Sequence, residues 1–164
     1  MMFRMELSIQ LATRASAKRV TRGRRDERGD PRWATGYPLD GDKRACLAYL
    51  RQLPVMGGPS RSSQFGYYQI LLDDVVVGGI GFHGPPRDGL VEIGYGVVPS
   101  VRGHGVATEA LRMILELAGS LDEVKRVCGR TSPDNIASQH VMLGAGMHFA
   151  GRDPDFLHYE IDLE

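Results

Sequence analysis

Apolar residues between Tyr67 and Val98 fall in short runs rich in Val, Ile and Tyr, with turn-formers between them. Tyr67–Leu72 and Val75–Phe82 flank Asp73 and Asp74, which predicts a β-hairpin. Gly84, Pro85 and Pro86 end its second strand, and residues 90–98 predict another. The period then changes. Ala107, Ala110, Leu111, Ile114, Leu115 and Ala118 recur three and four apart, so 107–118 predicts a helix with one apolar stripe, stopped by Gly119. A strand over 124–131, a helix over 135–145 and two strands over 147–151 and 156–162 complete the pattern. Nearer the start, 6–12 alternates as a strand, and Asp40 is placed to cap a helix over 42–53, where Cys46, Tyr49, Leu50 and Leu53 recur at helical spacing. The basic stretch between them and the turn-rich GDPRWATGYPLDGD read as irregular, and 57–63 as a loop. Strands followed by β-helix-β-helix-β-β predict a mixed α/β sheet rather than a regular parallel one.

A chain of 164 residues suffices for one domain with a buried core. Apolar residues at 42% and charged residues at 24% suit a folded, water-soluble domain. Twenty basic and twenty acidic side chains cancel, leaving no overall field to draw nucleic acid or anionic lipid, so function must sit in a local site. Residues 1–28 are less even, with eight Lys or Arg against three acids. Without interleaved aromatics, the basic 14–28 stretch reads as a solvated segment rather than a nucleic-acid patch. Cys46 and Cys128 belong to no CxxC pair and read as free thiols in a reducing compartment. The first residues lack a signal-peptide core, and no run approaches the ~20 apolar residues of a membrane span. Histidines 83, 104, 140, 148 and 158 show no metal-ligand spacing. The expectation is a cytoplasmic protein with no metal, nucleic-acid or membrane partner, compatible with a homodimer.

The informative stretch is EIGYGVVPSVRGHGVATEAL, residues 92–111. A strand ends at Val97, Val98 and Pro99, and a turn through Arg102, Gly103, His104, Gly105, Val106 and Ala107 leads straight into the amphipathic helix. The first amides of a helix lack internal partners and carry partial positive charge, and glycines at 103 and 105 let a ligand approach them. The product is an anion cradle made of backbone. It is not a Walker loop, which needs GxxxxGK[ST], nor a dinucleotide fingerprint, since Thr108 stands where the third glycine belongs.

Arg-x-x-Gly-x-Ala after such a strand resembles the pyrophosphate-binding motif of the GNAT family of N-acetyltransferases. The strand Val91, Glu92, Ile93, Gly94, Tyr95, Gly96, Val97 is similar to the strand before that motif. Asn135-x-x-Ser138 is similar to the branch that acetylates ribosomal-protein N-termini, and Gly146-Met147 sits where that branch has Gly-Phe. The resemblance covers 65–162 as an acetyl-CoA-binding core, with 1–64 as the atypical, acceptor-side part of the same single domain, 1–164. It implies a strongly bent mixed sheet flanked by helices, acetyl-CoA as co-substrate, and transfer to a primary amine of a protein N-terminus or a small molecule. A non-catalytic acyl-CoA-binding or interaction module of the same fold is the alternative.

By that resemblance Val97 and Val98 pair with the pantetheine arm, 102–107 hold the pyrophosphate, Asn135 lies beside the arm, and Ser138 protonates the departing thiolate. Asn135 is also a plain helix N-cap by sequence. Many relatives carry a tyrosine acid one turn after the serine, where this chain has Met142. Glu92 shares a strand face with Gly94 and Gly96, a face otherwise stripped of side chains, which suits a base that frees an ammonium of its proton. A half-exposed strand glutamate is the competing reading, and His83 or water are the other bases. Trp33 and Tyr37 read as packing residues.

Overall fold

Asp73 and Asp74 both take positive φ, 49° and 63°, the left-handed pair that a two-residue hairpin turn demands and that aspartate tolerates better than most residues. In the computed structural model, which describes residues 4–53 and 64–163, this turn joins two central strands. The chain runs β1 (Leu7–Leu11), α1 (Arg14–Arg22), β2 (Arg32–Trp33), α2 (Asp40–Gln52), β3 (Tyr67–Leu72), β4 (Val75–Phe82) and β5 (Leu90–Val97). A single 3-10 turn (Pro99–Val101) leads to α3 (Val106–Gly119), β6 (Arg126–Thr131), α4 (Ile136–Gly144), β7 (His148–Arg152) and β8 (Leu157–Asp162).

The sheet order is β1-β3-β4-β5-β6-β8-β7, with β2 lying parallel on the part of β4 that β5 leaves uncovered. Along that order every pair is antiparallel except β5 with β6. Those two pair at three positions only, Leu90, Val91 and Glu92 against Arg126, Val127 and Cys128. Beyond Glu92 they part. α1 packs on α2, which lies over β3, β4 and β5, while α3 and α4 cover the opposite face. Ile70, Ile80, Val91, Leu111, Ile114 and Val127 are fully buried between these layers, each contributing about 1.5–3 kcal/mol.

The mixed sheet and its flanking helices match the expected architecture, but four local readings need correction, one being that the turn-rich 29–42, read as irregular, holds β2 at Arg32–Trp33. The basic stretch is not irregular. Thr13 accepts from the Ser16 amide (3.0 Å), Gly23 closes the helix at φ 63°, and Ala17 and Val20 bury one narrow face. Arg19 then holds Asp30 through two bonds (2.6 and 2.5 Å), whereas Arg14, Lys18, Arg22, Arg24 and Arg28 are exposed, so most of the charge is solvated as expected. α2 begins at Asp40, two residues earlier than expected, and the residue that caps it is Asp42, whose Oδ2 accepts from the Leu39 amide (2.8 Å). Gly119 is the last residue of α3, not its stop. Residues 57–63, read as a loop, lie outside the described residues. Trp33 and Tyr37 pack edge to face with centroids 5.1 Å apart, Tyr37 within the core.

Candidate active site

Past Glu92, β5 has a neighbour on one side only. His83 N–H donates to Glu92 O (2.8 Å) and Val98 N–H donates to Val77 O (2.8 Å). The antiparallel alternation therefore turns the peptide groups of Glu92, Gly94, Gly96 and Val98 towards β4, and those of Ile93, Tyr95 and Val97 into the split. Val97 accordingly offers its amide to an extended ligand, whereas Val98 spends its amide on β4. The Val97 carbonyl accepts from Arg102 Nε (3.0 Å), which folds that side chain back onto the strand end.

Gly103 and Gly105 both sit at φ 77°, a conformation that costs a residue with a Cβ about 1–2 kcal/mol. Among the described residues, no side chain caps α3. Glu109 N–H donates to Gly105 O (3.0 Å), so the amides of Val106, Ala107 and Thr108 stand ahead of the first intrahelical bond and point out of the helix end. They open on a cavity of about 660 Å³ whose walls include Val97, Arg102, Gly103, Gly105, Asn135 and Ser138. Phosphate oxygens suit such a place, because orphan N–H groups and the helix dipole both favour negative charge there. His104 is exposed and faces no part of this cavity.

Across the split, Asn135 Oδ1 accepts from the Ser138 amide (3.1 Å), which makes it the N-cap of α4 and fixes where Ser138 stands. Ser138 Oγ lies 2.8 Å from the Tyr95 hydroxyl, which also donates to Ser138 O (3.1 Å). Tyr95 thus spans from β5 to α4. Burial pushes its phenol pKa upward, and the bond to Ser138 offsets part of that rise. Sequence reasoning missed Tyr95 because it alternates with Val91 and Ile93 on a face that reads as core.

A second cavity, of about 560 Å³, lies between α2 and β3, β4 and β5. Among the described residues, only Tyr95 and Gly96 line both cavities, so the two meet there. Glu92 lines neither. Its Oε1 lies 3.0 Å from Arg130 Nε and 3.4 Å from His83 Nδ1, in contact with both but not aligned for a hydrogen bond. Nor is its strand face bare. His83 covers Gly94 and reaches the cavity, and Leu39 covers Gly96.

The carboxylate that does reach this cavity is Asp42, 5% exposed. Besides capping α2, it accepts from the Tyr67 hydroxyl through Oδ1 (2.9 Å). Tyr67 and Tyr37 share a hydrogen bond (2.8 Å), and Gln69 Nε2 donates to the Tyr37 hydroxyl (3.2 Å). With Tyr67 giving its proton to Asp42, Tyr37 must give to Tyr67, so the chain of donors runs towards the carboxylate. Burial raises the Asp42 pKa, while the bonds from Leu39 and Tyr67 pull it down. The Tyr67 phenol is pushed well up, chiefly by burial. The sequence signal for Asp42 was its place at the third helical position; assigning the cap to Asp40 hid it.

The acetyltransferase (GNAT) domain family matches residues 8–148. YjdG of Bacillus subtilis (strain 168), an uncharacterized N-acetyltransferase, is 28% identical over 132 residues, covering 76% of this chain and 77% of its own. RimJ of Mycobacterium smegmatis, solved with CoA-disulfide, superposes with a TM-score of 0.65 at 22% identity, over 95% of this chain and 81% of that one. The ribosomal-protein-S5-alanine acetyltransferase of Vibrio fischeri gives 0.68 at 13% identity, over 98% and 95%.

Proposed function

The chain belongs to the GNAT acetyltransferase family, and from that premise we propose that it passes the acetyl group of acetyl-CoA directly to a primary amine, on a protein N-terminus or a small molecule. The observation that carries this reading is the meeting of two cavities at Tyr95 and Gly96, one fronted by orphan helix amides and the other floored by an acid. The amides of Gly103, Val106 and Ala107 hold the pyrophosphate with Arg102 braced beside them, Val97 pairs with the pantetheine arm, and Asn135 holds α4 against it. Val98 and His104 contribute through the backbone path of strand and turn. A protein N-terminus as acceptor draws support from the ribosomal-protein enzyme whose fold this chain shares.

Attack requires a neutral nitrogen, because an ammonium has no lone pair. His83, whose ring lines the acceptor cavity, takes the ammonium proton, and Glu92, 3.4 Å from its Nδ1, supports the imidazolium by charge. As the C–N bond forms and the C–S bond breaks, the thiolate takes its proton from Ser138, which recovers one from water and whose hydroxyl is paired with Tyr95. That pairing answers the loss of a tyrosine at Met142, which is buried. A covalent cysteine route is disfavoured: burial raises the pKa of both Cys46 and Cys128, leaving little thiolate. Free cysteines suit the reducing cytoplasm, and among the described residues no helix is long and apolar enough to cross a membrane.

The test is a panel of amines incubated with acetyl-CoA, reading released thiol, on the natural protein and on Glu92→Gln. Turnover with at least one amine is expected, with kcat falling about tenfold in the variant, less than the ~100-fold or more of a lost general base because the charge beside His83 is removed and His83 is kept, and CoA affinity unchanged. Absence of turnover with every amine while CoA binds would leave the acyl-CoA-binding module as the function.

A further inference from the structure

We propose that Asp42, which itself covers Gly79, forms an ammonium-binding subsite on the floor of the acceptor cavity, holding the incoming amine as a cation beside Gly96. The proposal deepens the acetyl-transfer reading and rests on it.

Placement comes first. A Cβ added to Gly79 would collide with Asp42 Oδ1 and the Tyr67 ring, so the carboxylate lies directly on that glycine. Gly79 pairs with Gly96 across β4 and β5, and Gly96 lines both cavities. Glu92 sits four residues further down the same strand, about 13 Å away at the rise of an extended chain. Among the described residues that line either cavity, Asp42 is the only carboxylate.

Charge comes second. Asp42 is 95% removed from water by its 5% exposure, yet among the described residues no Lys, Arg or His stands within ion-pair distance of it. A buried carboxylate without a counter-charge is costly, and what it has instead are two neutral donors, Leu39 N–H and Tyr67 O–H. Capping a helix explains one oxygen only. The other terminates a donor chain from Gln69 through Tyr37 and Tyr67, an arrangement that stabilises the anion and leaves it facing the cavity. The other charged groups do not take over this role. Arg44 is exposed at the mouth, where water screens it, and Glu92 is already beside Arg130 and His83. A cation drawn past the mouth supplies the charge that Asp42 lacks.

The test uses phenethylammonium and its neutral counterpart 2-phenylethanol, titrated into the full chain saturated with CoA. The cavity walls of Tyr49, Ile80 and Phe82 suit the ring of both probes. The unsubstituted protein is expected to bind the cation at least tenfold more tightly, and Asp42→Asn to cut that preference below threefold, while Glu92→Gln retains it. Equal binding of the two probes, preference surviving in Asp42→Asn, or preference lost only in Glu92→Gln would overturn the subsite. Should Asp42→Asn fail to fold, nuclear Overhauser contacts between the probe's nitrogen-bearing methylene and the Tyr67 ring in the unsubstituted protein decide instead; their presence is expected, and their absence overturns the proposal. Failure of CoA itself to bind would sink the acetyl-transfer reading, whereas CoA bound without cation preference sinks only the subsite.

Discussion

At Gly105 a φ of 77° and the opening of α3 coincide, so one residue sets the direction of the orphan amides. Gly105→Ala is expected to cost about 1–2 kcal/mol for the left-handed conformation, read as a lower melting temperature of the free protein, and also to weaken CoA binding in calorimetry. Tyr95→Phe removes one hydroxyl and leaves the ring. Steady-state kinetics should then show kcat reduced with little change in KM for acetyl-CoA; a change in KM alone would mean that the Tyr95–Ser138 bond positions the cofactor and plays no part in proton delivery. These residues differ in how visible they were from sequence. Gly103 and Gly105 were legible because their role is local: the conformation, the helix start and the exposed amides all lie within six positions. Tyr95 and Asp42 were not, because what matters about them is a partner 43 residues away in one case and 25 in the other. Alternation on a strand and a place in the first helical turn account for both without any site.

The split between β5 and β6 is the element on which the site depends, and it needs the bonds that end at Glu92. β5 is held rigidly on its other side, where glycines allow α2 and β4 to approach closely. Gly79→Ala would drive a methyl group into Asp42 and Tyr67, so overpacking of about 1–3 kcal/mol is expected, read as a lower denaturation midpoint with an unchanged urea slope. α1 makes a milder case. Thr13→Ala removes the bond to the Ser16 amide and should cost about 1 kcal/mol, with the loss reported by amide exchange in 14–22 before the sheet is affected. The cap at Thr13 and the left-handed Gly23 were both present in the sequence. They were outweighed by a run of arginines that reads as solvated, because nothing in that run announces that Asp30 folds back to hold Arg19. Strands of the central sheet were legible within two or so residues, since each alternates or is bounded by a turn-former whose conformation is forced, as at Asp73 and Asp74.

For the whole molecule, the order of elements from α2 onward was legible, whereas α1, β2 and the geometry between elements were not. Periodicity gave strands and helices in sequence, but nothing in it marks that α2 closes one cavity while α3 and α4 close another, or that the two meet at Gly96. The cavity beneath α2 suffered most, since its wall is drawn from α2, β3, β4 and β5 together. A ligand that bridges the split should stabilise all of these elements at once. At a hundredfold excess over its dissociation constant, CoA is expected to add about 2.7 kcal/mol to the unfolding free energy, seen as one cooperative transition moved to higher temperature.

The central claim is that amides left unpaired after Val97 receive the phosphates of CoA. A titration of 15N-labelled protein with CoA, followed residue by residue through its amide shifts, tests it most directly. Gly103, Gly105, Val106, Ala107 and Thr108 are expected to move furthest, with Val97 close behind and the amides of β7 and β8 almost still. Saturable shifts that spare residues 103–108 and fall elsewhere on the sheet, or no shifts at millimolar CoA, would contradict the account.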